Sequence, residues 1–174
     1  MIHIREMTFA DCERVAEIRI RGWQSAYAGL IPQSYLDGLD LADEISRRRA
    51  HFEQAGEGVL NLVAESSGKV VGWSCHGPYR GGELPTKDAE LYAIYVHPDH
   101  LSQGVGQALL RESTARCATA GNARMLLWVL KENAQARRFY ERAGFTPDGT
   151  EESWDVAGVA VPEVRYSGPL AAAP

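Results

Sequence analysis

Gly104 and Gly106, lying between an apolar run and a helix-like one, are the residues whose spacing most directly implies chemistry. Leu91 to Val96 reads as a strand ended by Pro98, and the segment from Gly106 reads as a helix that stops at Gly121. A glycine turn feeding a helix start aims several backbone N–H groups at one point, and the macrodipole adds partial positive charge there. That arrangement suits a phosphate or pyrophosphate. Glycine matters because a Cβ could block close approach or forbid φ > 0. The dinucleotide pattern GxGxxG is incomplete, since Leu109 stands at its third glycine, and the triphosphate-loop pattern GxxxxGK is absent. With no lysine in the turn, the backbone amides of Gln103, Gly104, Val105, Gly106 and Gln107 are the candidate phosphate donors, and no metal-bridged γ-phosphate is implied. Taken alone, the turn equally describes an ordinary strand-to-helix connection.

A second segment narrows the choice. Met125 to Leu130 reads as a strand, and Asn133 to Ala143 as a short helix ended by Gly144, with Phe145 opening the next apolar run. Asn133, Ala136, Phe139, Tyr140, Gly144 and Phe145 stand in the register Asn-x-x-Ala-x-x-Phe-Tyr-x-x-x-Gly-Phe. With the turn, this pair of segments resembles the GCN5-related N-acetyltransferase (GNAT) superfamily over residues 89 to 145. One position departs from the pattern: Leu101 replaces the Gln or Arg that opens the family's turn, and Gln103 and His100 are the nearby polar side chains that could stand in.

The resemblance implies an α/β (α+β) fold with a mixed, mostly antiparallel sheet whose middle strands, Leu91 to Val96 and Met125 to Leu130, splay apart. A pantetheine arm would lie in the gap, pairing with backbone groups of Ile94, Tyr95 and Val96 as an added strand would. A strand N–H near Tyr95 or Val96 would polarise the thioester carbonyl. Tyr140, matching the family's tyrosine, would protonate the departing thiolate, whose thiol has a pKa of about 8.5. Its alternative is a core aromatic. Asn133 and Ala136 belong to the same cofactor contact, although Asn133 also suits a helix N-cap. For the base, Glu90 at the start of the central strand is the first candidate, with water, His76 and His97 as alternatives. His97 and His100 otherwise read as structural or surface residues, and no third ligand makes them a metal pair.

Acceptor pockets in this superfamily use the first helices and the loop between them. Here that region carries Trp23, Tyr27, Ile31 and Tyr35, which could wall a pocket for an apolar amine or pack into the core; Trp73 and Trp128 could line the same cleft. The resulting expectation is direct acetyl transfer from acetyl-CoA to a primary amine, small or peptidic. A non-catalytic acyl-CoA-binding sensor is the rival, and a nucleotide-binding βαβ protein a more distant one.

Composition sets the remaining bounds. A chain of 174 residues with 45% hydrophobic and 24% charged residues describes one ordinary globular domain, here placed at residues 1–170 with a frayed tail at 171–174. A net charge of −5 does not favour nucleic acid, which usually needs a basic face. No apolar run reaches the ~20 residues of a membrane helix. Cys12, Cys75 and Cys117 are far apart and form no metal-ligand spacing, and their odd number without a leader-like segment points to a reducing cytoplasm. Family resemblance leaves a homodimer open.

The remaining elements follow from periodicity and punctuation. Ile2 to Arg5 alternates as a strand. Thr8 with Asp11 opens a helix through about Tyr27, broken by Gly29 to Pro32. A turn of helix over Gln33 to Leu39 precedes one from Leu41 to Gln54 capped by Asp40, whose Arg47, Arg48 and Arg49 read as a solvated face. Val59 to Glu65 and Lys69 to His76 form a hairpin, residues 77–88 a mobile loop, and Glu151 to Val156 and Glu163 to Tyr166 the last strands, joined around Gly158.

Overall fold

A computed structural model describes residues 1–82 and 86–170. Seven strands form one sheet in the order β1-β2-β3-β4-β5-β7-β6. They are β1 (Ile2–Glu6), β2 (Leu60–Ser66), β3 (Lys69–Pro78), β4 (Asp88–Val96), β5 (Arg124–Leu130), β6 (Thr146–Val156) and β7 (Val159–Pro169). Every neighbouring pair is antiparallel except β4 and β5. The helices are α1 (Cys12–Ala26), α2 (Gln33–Asp37), α3 (Leu41–Glu53), α4 (Val105–Thr119) and α5 (Ala134–Arg142). This is the expected mixed, mostly antiparallel α/β architecture.

Strand alternation builds two cores. Val63, Trp73 and Cys75 point one way, onto Cys12, Val15 and Ile18 of α1. Leu62, Ala64 and Val71 point the other way, onto Val105 and Leu109 of α4. The central hairpin therefore lacks a polar face, as a strand covered on both sides must. A third cluster joins α1 and α2 to the far end of the sheet through Trp23, Ile31, Leu36, Leu130, Val156 and Val161. A fourth packs Tyr140 and Phe145 on Met125, Leu127, Val129, Val164 and Tyr166.

The parallel pair positions the site. β4 and β5 meet only at Asp88↔Arg124, Ala89↔Met125 and Glu90↔Leu126. Beyond those three pairs their facing edges carry no ladder, so the strands diverge as expected. Asp88 and Arg124 close the paired end with two hydrogen bonds of 2.9 Å. A register shift opposite Cys75 and His76 leaves Tyr92 as the extra residue of a bulge in β4, a device that bends a strand and re-aims its side chains.

Two expectations are corrected here. The central strand begins at Asp88 rather than Leu91, which places Glu90 inside it. The connection at 77–88 is shorter than expected, because β3 continues to Pro78 and Tyr79 N–H donates to the Asp88 carbonyl at 3.0 Å. The rest of that loop expectation includes 83–85, and the frayed-tail expectation falls on 171–174; both segments lie outside the described residues.

Candidate active site

The turn before α4 has the conformation its glycines require. Gly104 is left-handed at φ +83, with nothing within 4 Å of where a Cβ would stand, so its constraint is backbone conformation. Gly106 answers to space: a Cβ there would lie 3.4 Å from Phe139 Cζ and 3.7 Å from Val96 Cγ2. One residue thus seats the start of α4 against both α5 and the end of β4. The first backbone hydrogen bond of α4 runs from Ala108 N–H to the Gly104 carbonyl at 3.0 Å, and no backbone carbonyl takes the N–H groups of Gln103 to Gln107. Those five donors, at the positive end of a fifteen-residue helix, make the cradle. Leu101, where the family pattern has Gln or Arg, is exposed, and the Gln103 amide reaches back to the Asp99 carbonyl at 3.4 Å.

Asn133 is the N-cap of α5, its Oδ1 accepting from Ala136 N–H at 3.1 Å. Among the described residues its NH₂ group makes no hydrogen bond. Ala136 and Phe139 pack against the cluster that contains Tyr140. Tyr140 is 8% exposed; burial, then the nearby Tyr95 phenol, pushes its pKa well above the ordinary phenol range. Among the described residues nothing hydrogen-bonds its hydroxyl. Ile94, Tyr95 and Val96 are half-buried along the unpaired stretch of β4.

The opposite face of the sheet collects the aromatic residues. Tyr95 stacks on Trp73 at 6.1 Å between centroids, and its hydroxyl meets that of Tyr27 at 3.3 Å. Trp23 packs edge-on to Tyr27 at 5.0 Å and to Trp154 at 5.5 Å. Its indole N–H is buried without a partner among the described residues. Burial raises the Tyr27 pKa, with the Tyr95 and Tyr140 phenols and the Glu163 carboxylate adding to the effect. Tyr27, Tyr95, Tyr140 and Glu163 therefore share one neighbourhood at the open end of the gap. Ile31 is buried beside Trp23, Tyr35 is half-buried in the same cluster, and Trp128 lies under the Arg165 guanidinium at 6.0 Å. The structure thus brings the turn, β4, Asn133 and Tyr140 together, and spreads the six aromatic and aliphatic pocket candidates along one face.

Glu90 is placed differently from a residue open to an amine. It is 3% exposed, and Arg80 holds it by a backbone N–H at 3.0 Å and a guanidinium nitrogen at 2.8 Å. The same guanidinium lies 4.0 Å from the Tyr92 ring centroid. His97 is tied into the backbone: its main-chain N–H donates to the Val71 carbonyl at 2.8 Å, and its Nδ1 accepts from Asp99 N–H. His76 is buried, and burial and then Arg116 lower its pKa, keeping it neutral. Arg80 and Glu163 escaped the sequence reading. The signal for Arg80 was its charge opposite to Glu90 across a strand connection. For Glu163 it was the alternation Val161, Glu163, Arg165 against Val164 and Tyr166.

Comparison with known proteins agrees with this fold. The model of the acetyltransferase (GNAT) family matches residues 23–145. The chain belongs to the GNAT acetyltransferase family. It is 29% identical to an uncharacterized N-acetyltransferase, YuaI, of Bacillus subtilis, over 97% of this chain and 94% of that one. It is 24% identical to the spermidine N(1)-acetyltransferase of Thermoplasma acidophilum, over 87% and 92%. Among solved structures, the PaiA N-acetyltransferase of Thermoplasma acidophilum in complex with coenzyme A superposes with a TM-score of 0.77 at 21% identity, covering 97% of this chain and 99% of that one. As a GNAT member the protein is an acyltransferase. Among the described residues no group of three or more His, Cys, Asp or Glu could hold a metal, and no helix is long and apolar enough to cross a membrane.

Proposed function

We propose that this GNAT enzyme transfers the acetyl group of acetyl-CoA directly to a primary amine of a small molecule. The observation that carries the reading is the set of free N–H groups at the start of α4 beside the edges of β4 and β5 that stop pairing after three residues, with Tyr140 packed on residues of both strands. The pyrophosphate fits the cradle from Gln103 to Gln107. The pantetheine amides fit the unpaired edge of β4 at Ile94, Tyr95 and Val96 as an added strand, with Asn133 NH₂ as a further donor. A β4 N–H near the thioester stabilises the oxyanion, and Tyr140, kept protonated by burial, gives its proton to the leaving sulfur.

A direct attack is favoured over an acyl-enzyme because the thiols are unreactive. All three cysteines are buried, and burial pushes Cys75 and Cys117 up to about 11, far from thiolate at neutral pH. The names of relatives support a small-molecule acceptor, spermidine being the amine named for the Thermoplasma enzyme. A pure acyl-CoA sensor needs no buried phenol at the sulfur. For Glu90 to act as the base, its pair with Arg80 must open. Glu90→Gln distinguishes the roles: lost turnover at unchanged melting temperature assigns proton transfer, whereas lost stability assigns the clamp.

The first test is calorimetric titration of the protein with acetyl-CoA, with NAD as control. Micromolar binding of acetyl-CoA alone, followed by amine-dependent release of CoA, is the expected result. Binding of neither, or of both alike, overturns the reading.

A further inference from the structure

Buried carboxylates in this protein are paired with arginines. Asp11 holds Arg5 at 2.8 Å, Glu44 holds Arg48 at 2.9 Å and Glu90 holds Arg80 at 2.8 Å. Glu163 breaks the pattern. It is half-buried on β7, yet among the described residues it has no ion pair and no side-chain hydrogen bond. It stands opposite Leu130 on β5, where that strand has already left β4. Its alternation with Val161 puts it on the face covered by α1 and α2, the face whose cluster holds Val161, Trp23, Tyr27 and Trp154. Its other cross-strand partner is Glu152 on β6. Two carboxylates directly opposite on one face repel, and a cation between them removes the conflict. From this placement we propose that Glu163 is the carboxylate that receives the acceptor, a cationic amine, and takes its proton. The proposal rests on the acetyltransfer reading above.

The chemistry balances as follows. An alkylammonium, with a pKa of about 10.4, has no lone pair at neutral pH. It gives one proton to Glu163 and becomes the free amine, and Glu163 later releases that proton to water. The nitrogen lone pair then attacks the thioester carbon. The C–N bond forms, the C–S bond breaks, and Tyr140 gives its proton to sulfur. The second proton lost from nitrogen restores the Tyr140 phenol. Burial and then Glu152 raise the Glu163 pKa, which strengthens it as a base. The other titratable groups around it include the phenols of Tyr27, Tyr95 and Tyr140 and, two residues along β7, Arg165, which is tied to Asp148 at 2.6 Å and to Tyr79 at 2.8 Å.

Transfer to two probe amines, spermidine and tyramine, tests the role, with acetyl-CoA affinity measured by calorimetry in parallel. Glu163→Gln is expected to lower kcat/KM by ~10²-fold and to abolish its acidic limb, with acetyl-CoA affinity unchanged. Glu163→Asp should restore part of the rate, and Glu152→Gln should move the acidic limb to lower pH. A merely structural residue would leave that limb in place. An E163Q enzyme that keeps the limb, or stays within threefold of wild type, overturns the role of Glu163 and leaves the acetyltransfer reading intact. Wild-type protein that binds no acetyl-CoA overturns both. If it binds acetyl-CoA but acetylates neither probe, both amines are titrated into its CoA complex. Weaker binding to E163Q then supports Glu163 as the ammonium receptor, and equal or undetectable binding overturns it.

Discussion

At the scale of single residues, the proposed site depends on keeping a proton on Tyr140 until sulfur needs it. Burial opposes the phenolate, so the acid stays loaded through neutral pH, and the alkaline fall in kcat should lie above the ordinary phenol range of about 10. Tyr140→Phe is expected to lose ~10²-fold in kcat and its alkaline limb while binding acetyl-CoA normally. Equal loss of acetyl-CoA affinity would instead make Tyr140 part of the cofactor wall. The proposed function gives Asn133 a second duty besides its cap. Asn133→Ala should cost about 1 kcal/mol through the lost cap as well as weakening acetyl-CoA. Asn133→Ser keeps a capping oxygen, so in that variant the melting temperature should be nearly native and only the affinity should fall. If neither variant changes affinity, the residue is a cap alone.

At the scale of elements, what was legible in the sequence was local. Gly104, Pro98, Asp40, Asn133 and Gly144 punctuate the chain through constraints that act within one turn, and the helices start and stop there. The diverging middle strands came from the family resemblance, since no local rule says that a parallel pair must stop after three residues. Non-local pairing was the part that stayed hidden. β6 begins at Thr146 rather than Glu151 because β7 holds it across a register shift at Pro147 to Glu151, although its own sequence is polar and unalternating. Glu90 looked like an open strand end because its pairing with Leu126 and its clamp by Arg80 both come from other parts of the chain. The cradle provides the test at this scale. Gly104→Ala puts a Cβ on a left-handed residue, costing about 1–2 kcal/mol or turning the N–H groups away. Acetyl-CoA affinity should fall by at least tenfold in calorimetry, while Gly121→Ala, also at positive φ but at the far end of α4, should affect stability only.

For the molecule as a whole, the placement of carboxylates sets opposite trends of stability with pH. The Arg5 and Arg124 guanidiniums hold Asp11 and Asp88 below the usual carboxylate range, and hydrogen bonds from Thr150 and Arg165 do the same for Asp148 against its own desolvation. A group whose folded pKa is depressed contributes stability that is present above its unfolded value, about 3.9 for Asp, and is lost as pH falls through the folded pKa. These pairs also tie distant segments: Asp88 to Arg124 across the closed end of the gap, and Asp148 to Arg165 between the last two strands. Glu163 runs the other way. Its raised pKa means the folded state holds that proton more tightly, so ionising it between the unfolded and folded values subtracts stability that stays lost at neutral pH. Asp88→Asn should therefore lower the melting temperature at pH 7, with the difference from wild type shrinking as pH falls below 4. Glu163→Gln should raise the melting temperature at pH 7 and converge with wild type in acid. Thermal melts from pH 3 to pH 8 decide it. A Glu163→Gln protein no more stable than wild type at pH 7 would mean that a cation already neutralises that carboxylate in the resting protein. The opposed signs would otherwise mark Glu163 as a group that weakens the fold where it stands, as expected of a side chain kept for chemistry rather than packing.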